Sequence, residues 1–168
     1  MSLPLTMERL RHCLDYDPGS GEFRWKRPNT NRLKPGDRAG TVDGKGHIQM
    51  RLDGVQYSGH RLAWFWVHGE WPTAEIDHKD RDRANNRIDN LRQATKSQNR
   101  MNTVAFANNK SGFKGVHPSG GNSKKPWRAT INRGGARLNL GRFATAQEAH
   151  SAYLTAANRL FGEYASPA

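Results

Sequence analysis

Residues 76–102 read Ile76-Asp77-His78-Lys79-Asp80-Arg81-Asp82-Arg83-Ala84-Asn85-Asn86-Arg87-Ile88-Asp89-Asn90-Leu91-Arg92-Gln93-Ala94-Thr95-Lys96-Ser97-Gln98-Asn99-Arg100-Met101-Asn102. An acid–histidine pair, Asp77-His78, opens the stretch. A loop dense in charge and asparagine follows, and an apolar return comes at Leu91. A helix can start at Thr95 or Ser97. Asn90 lies 12 residues after His78, and Asn99 lies 9 residues after Asn90. A carboxylate, an imidazole and two amides at such spacings are the parts of a one-metal phosphodiesterase site. Asn90 is suited to bond backbone groups of the loop from Lys79 to Asp89. Asp77 and Asn99 offer hard oxygen ligands, which suit Mg²⁺ or Mn²⁺ and not zinc. Neighbouring residues on a strand point to opposite sides, so one of Asp77 and His78 can bind a metal while the other reaches a water. Taken alone, the Asp77-His78 pair could equally be a salt-bridged turn.

The remaining composition narrows the partners. The chain has 168 residues, 27 Lys+Arg against 15 Asp+Glu, and a formal net charge of +12. Such a field favours a polyanion, because cationic side chains release the counterions condensed on it. Nine Lys/Arg and two Glu fall in residues 110–168, so the C-terminal part is nearly pure cation. Hydrophobic residues make up 35% of the chain, which favours small modules over one large core. No apolar run is long enough to span a bilayer, and the N-terminus lacks the apolar centre of a secretory signal. The single Cys13 forms no internal disulfide and no multi-cysteine zinc cage. The expectation is a cytoplasmic protein, bound to nucleic acid, with no membrane partner and no structural zinc.

Outward from the opening stretch, residues 7–14 fit one short helix. Asp17 to Gly21 form a turn, and Phe23 and Trp25 alternate as in a strand. Residues 26–38 read as a basic loop. Residues 47–52 alternate Ile48, Met50, Leu52 against His47, Gln49, Arg51, and Asp53-Gly54 turns the chain into Val55-Gln56-Tyr57. Residues 15–58 are thus expected to form one antiparallel meander. Residues 60–68, HRLAWFWVH, are apolar nearly all round and predict a buried helix ended by Gly69.

Residues 103–112 read as a linker, and a second module follows. Strands are expected at residues 113–117, 127–132 and 137–140, with a turn-forming loop at 118–125 and a hairpin turn at Gly134-Gly135. Thr145 and Glu148 form a capping box for a helix carrying Ala149, Ala152, Tyr153, Ala156 and Leu160, stopped by Gly162. Strand alternation leaves one sheet face apolar, toward the helix, and the other polar and cationic.

The segments HRLAWFWVHGEWP and IDHKDRDRANNRIDNLRQATKSQNRMN, and more loosely DYDPGSGEFRW, resemble the HNH endonucleases, whose site is a ββα-metal motif. The resemblance is to the subgroup of phage and intron-encoded homing enzymes. It implies His78 as general base, Asp77 and Asn99 as ligands of one divalent cation, and Asn90 as the structural member of the catalytic set. The three letters here are His, Asn, Asn, and family members with that third residue use it on the metal. His60-Arg61 resembles the His-Arg of the same subgroup, with phosphate contact and helix packing both open to it. The cations Arg81, Arg83, Arg87, Arg92, Lys96 and Arg100 flank the site and suit a phosphate-tracking surface.

Residues 111–165 are similar to the Apetala/ethylene-response-factor type of DNA-binding domain, through GV, LG-F and T-x-x-E-A. The resemblance implies a sheet laid in the major groove, read by Lys114, His117, Arg128, Thr130, Asn132, Arg137 and Asn139. Thr130 and Asn139 stand where plant members usually carry Glu and Trp, so base preference does not transfer. The expected fold class is α+β. A small antiparallel N-terminal part holds the ββα-metal motif, at about residues 74–102 of a domain spanning 1–107. A three-stranded antiparallel sheet on one helix follows in 108–168. The expected function is divalent-metal-dependent hydrolysis of double-stranded DNA. The alternative is a non-catalytic, sequence-specific DNA-binding regulator on a nuclease fold.

Overall fold

The computed structural model describes residues 5–28, 30–103, 109–120 and 124–165. The fold is mixed α and β, with small sheets. The chain divides into two compact units, residues 1–93 and 94–168. That division falls ahead of the compositional boundary at 107/108. The expected linker falls partly on residues 104–108, and the loop at 118–125 partly on 121–123; both sets lie outside the described residues.

In the first unit, α1 (Met7–Cys13) starts at Thr6, whose side chain accepts from Arg9 N. Leu10 and Cys13 face inward, as their spacing requires. β1 (Leu14–Asp17) and β2 (Glu22–Trp25) pair antiparallel in register Leu14↔Trp25 to Asp17↔Glu22. A separate sheet has the order β3 (Thr41–Val42), β4 (Ile48–Leu52), β5 (Val55–Ser58). The expected single meander is therefore two sheets. The turn after Asp17 closes β1 and β2 as a hairpin of their own. Residues 36–39 then bond along β2, yet contribute only one isolated bridge, Arg24↔Arg38.

α2 (Gly59–His68) buries Gly59, Leu62, Ala63 and Phe65, while Val67 is exposed. The helix is one-sided, where all-round burial is expected from its letters. Trp66 lies against the edges of Tyr16 and Phe23 and under Arg11, and Trp64 stacks on His68, so large aromatics cover the helix flanks. Gly69 ends the helix at φ 78°, in the left-handed region that glycine enters freely. β6 (Glu75–His78) and β7 (Leu91–Ala94) form a two-stranded sheet, and a short 3₁₀ turn (Ile88–Asn90) precedes β7. One core, from Leu10 through Phe23 and Met50 to Ile76 and Leu91, joins these elements.

In the second unit, α3 (Lys96–Met101) begins at Thr95 with a full capping box to Gln98. β8 (Val116–Pro118), β9 (Trp127–Arg133) and β10 (Ala136–Phe143) form an antiparallel sheet in the order β10-β9-β8. β8 starts later than expected because Gly115, at φ 73°, turns the chain there. A Cβ on Gly115 would fall 2.2 Å from the Tyr153 ring, so the backbone lies directly against that side chain. β10 is longer than expected and carries a bulge between Asn139 and Gly141. α4 (Ala146–Phe161) buries Ala149, Tyr153, Ala156, Ala157 and Phe161, and Gly162 follows it at φ 51°. Glu148 reaches back to the N–H of Ala144, one residue before the capping Thr145. Met101 of α3 shares a core with Ile131, Tyr153 and Phe161, which is why α3 belongs to this unit.

Candidate functional site

β6 delivers Asp77 and His78 into the first unit with relative exposures of 4% and 5%. The residues after it are fastened by side chains. Asn90 accepts from Asp80 N through Oδ1, and its Nδ2 donates to Asp80 Oδ1 and to the carbonyl of Asn85. Lys79 N donates to the Asn90 carbonyl, and Asp80 also accepts from Asp82 N and Asn85 Nδ2. The loop is thus closed across its base by one amide. Arg81 holds φ 70°, an uncommon backbone for a residue with a side chain.

Asp77 Oδ2 accepts from Nε and Nη2 of Arg92, at 2.9 and 2.8 Å, with side-chain exposures of 5% for Asp77 and 10% for Arg92. The pair links β6 to β7 and neutralises a carboxylate that burial alone would disfavour.

His78 Nε2 lies 3.2 Å from Asn86 Oδ1. Asn86 is 1% exposed, and its carbonyl accepts from the buried Tyr16 hydroxyl at 2.7 Å. Two glycines make room for it. A Cβ on Gly21 would stand 2.6 Å from the Asn86 carbonyl carbon, and one on Gly59 would stand 2.7 Å from Asn86 Nδ2. Sequence reasoning misses Asn86. It is one of two adjacent loop asparagines, and no local signal in the sequence separates it from Asn85.

Two further imidazoles adjoin His78. The His60 ring centroid is 5.3 Å from those of His78 and His47, and His47 is 6.1 Å from His78. His60 Nδ1 is buried with no hydrogen-bond partner among the described residues. Burial, then the neighbouring His78 and His47, pushes the His60 pKa down to about 3. Burial also lowers the pKa of His78, against an opposing contribution from Asn86, so His78 is neutral near pH 7. His47 is held by the 43–47 turn, where Asp43 Oδ1 accepts from His47 N.

Residues 57–101 match the model of the HNH endonuclease family. The HNH-matching segment runs from Tyr57 to Met101, so it takes in α2, β6, β7 and α3 and crosses the division between the units. The chain is 32% identical over 126 residues to the "Uncharacterized HNH endonuclease L560" of Acanthamoeba polyphaga mimivirus. The alignment covers 74% of this chain and 64% of that relative, so the chain spans less than two thirds of the relative's length. No solved structure matches. Of the residues expected from the sequence to form the site, Asp77, His78 and Asn90 lie in the first unit, and Asn99 lies on α3 in the second. No helix among the described residues is long and apolar enough to cross a membrane.

In the second unit, the register aligns His117, Arg128 and Arg142 across three strands, then Thr130 with Asn139 and Asn132 with Arg137. Arg142 is absent from the sequence-derived face. Strict alternation from Arg137 and Asn139 continues to Gly141. The bulge shifts the parity by one and pairs Arg142 with Arg128. Lys114 stands apart from this face: its ammonium donates to the carbonyls of Met101 and Thr103 at 2.6 Å and of Arg100 at 3.3 Å, capping the end of α3.

Proposed function

We propose that the protein is a DNA endonuclease that hydrolyses phosphodiester bonds, with His78 as general base. The observation that carries this reading is a buried, neutral His78 beside the buried carboxylate of Asp77, inside the HNH-matching segment. A neutral imidazole takes the proton of a water as its oxygen attacks phosphorus, and the P–O bond to the leaving oxygen breaks. Asn90 keeps the loop closed around this chemistry.

By donor type, a buried carboxylate oxygen fits a hard divalent cation such as Mg²⁺ or Mn²⁺. Asp77 would hold it, with Asn99 as the second protein ligand that the family resemblance implies. When bound, the cation supplies charge stabilisation to the scissile phosphate and the leaving oxygen. Arg92 orients the Asp77 carboxylate through its two N–H donors.

Double-stranded DNA is the substrate class. The sheet face of His117, Arg128, Thr130, Asn132, Arg137 and Asn139, with Arg142, supports a positioning role for the second unit, in line with the resemblance to the Apetala/ethylene-response-factor type. Arg128 Nε is buried with no partner among the described residues, as suits a group that meets an anion. A phage or mobile-element enzyme of homing type is consistent with this division of labour.

Supercoiled plasmid incubated with Mg²⁺ should yield nicked or linear product, and EDTA should stop it. His78→Ala should abolish cutting and leave DNA binding intact. Full cutting by that variant would refute the base, and absence of cutting by the wild type would favour a DNA-binding regulator.

A further inference from the structure

β8 and β9 pair only from Val116↔Ala129 to Pro118↔Trp127. Ahead of β8 the chain turns at Gly115, whose carbonyl accepts from Thr130 N at 2.8 Å. β9 runs on to Arg133, so its last residues have no strand beside them on that edge. Peptide groups point alternately to the two sides of a strand. The N–H and C=O of Asn132 therefore face the same way as those of Thr130, away from β10. Such an edge offers a donor beside an acceptor.

A cavity of about 530 Å³ opens beside this edge, wholly within the second unit. Asn132 lines it, with Ile131 and Tyr153 in its walls. Its cations are Arg100, Lys110 and Arg137, together with Lys114, whose ammonium is set on the carbonyls that end α3. No carboxylate among the described residues lines it. Arg100, Lys110 and Arg137 are exposed, and none of the three makes an ion pair among the described residues. Like charges that converge on one hollow favour an anion as its occupant. The volume falls within the range of about 300–1,000 Å³ typical of sites for small organic ligands.

We propose that this cavity binds one nucleotide unit, its phosphate held by Arg100, Lys110 and Arg137 and its base edge by the main-chain N–H and C=O of Asn132. The cavity shares His117, Thr130 and Arg137 with the polar sheet face. A nucleotide turned out of a duplex lying on that face would present these groups, and a free mononucleotide presents the same ones. Only the first source rests on the reading of DNA by the sheet.

Adenine carries an acceptor beside an amino donor, the complement of the Asn132 edge, so the probes are adenosine 5′-monophosphate, adenosine and inorganic phosphate. Titration calorimetry and amide ¹H–¹⁵N spectra of the full chain follow them. The mononucleotide should bind more tightly than either of its parts and shift the Asn132 amide. Arg100→Gln combined with Lys110→Gln, both at exposed positions, should weaken it about 10-fold for each charge removed. Arg32→Gln, a charge removed in the first unit, should leave it unchanged. A duplex with one unpaired nucleotide separates the sources. If the wild type prefers it to a perfect duplex and the double variant does not, the occupant comes from DNA; mononucleotide binding without that preference assigns the cavity to the free nucleotide. No binding of the mononucleotide, equal binding of phosphate alone, or undiminished affinity in the double variant would each overturn the proposal. A wild type that binds the mononucleotide but no duplex would instead remove the DNA role of the sheet and leave the cavity assigned.

Discussion

Gly59→Ala sets two effects of known size against each other. Gly59 is the first residue of α2 and lies outside the left-handed region. By helix propensity alone, alanine should stabilise such a position by about 0.5–1 kcal/mol. The added Cβ, however, would lie 2.7 Å from Asn86 Nδ2 and 3.1 Å from Ile48 Cβ. The first distance is about 0.7 Å short of the 3.4 Å at which ordinary contact begins. Neither neighbour is the loose end of a long side chain, so forced repacking should cost about 1–3 kcal/mol. The contact wins, and the variant should be destabilised by roughly 1–2 kcal/mol. A His78–Asn86 bond already 3.2 Å long does not survive a displacement of that size. Misplacement of that order should lower kcat by about 10- to 100-fold. Urea denaturation of the full chain measures the first effect by fluorescence, since four of the five tryptophans (Trp25, Trp64, Trp66 and Trp71) lie in the first unit. Plasmid cutting measures the second. A variant more stable than the wild type that still cuts at full rate would refute the claim that Gly59 exists to admit Asn86.

Arg92→Met removes two N–H donors from the buried Asp77 carboxylate and should destabilise the protein by about 3 kcal/mol or more; unchanged urea stability would contradict the buried pair. His60 is neutral when folded and protonates below about 6.5 when unfolded, so its contribution is fully present above pH 6.5 and is lost as pH falls toward about 3. His60→Gln should therefore lose less stability than the wild type between pH 6.5 and 4, and parallel curves would reject the assignment. Gly115→Ala places a Cβ 2.2 Å from Tyr153 at a positive φ, and should unfold the second unit more easily by about 2 kcal/mol or more, read from Trp127 fluorescence. Arg142→Ala should weaken binding to duplex DNA across sequences and reduce the slope of log affinity against log salt by about one; an unchanged slope would take Arg142 off the phosphate-facing surface.

Much of the architecture is legible from local pattern. The spacing of Leu10, the glycine after His68, the Asp53-Gly54 turn and the Thr145 cap each mark their elements, because each rests on neighbours a few residues away. Asp77, His78 and Asn90 are picked out in the sequence by their types and spacings together, and the structure buries all three. What escapes local reading depends on partners far along the chain. Whether β2 pairs with β1 alone or continues into β4 is decided by the path of residues 26–40, which carry no strand signal. Arg142 is hidden by a bulge that reverses side-chain parity after Asn139. Asn86 is hidden because Asn85 beside it is chemically identical. Only the approach of Tyr16, Gly21 and Gly59 distinguishes the two, and all three lie outside the motif.

The end of α3 bears on how such a chain could be taken apart. The HNH-matching segment closes at Met101, but the side chains that cover Met101 belong to the C-terminal sheet and helix, and Lys114 caps the carbonyls that follow. A junction cut between residues 103 and 109 would leave a helix bearing Asn99 with a bare apolar end and uncapped carbonyls. The HNH-matching segment is therefore not a cassette. Transplanting it onto another module requires Lys114, Tyr153 and their sheet to travel with it, or a new partner built to cover Met101.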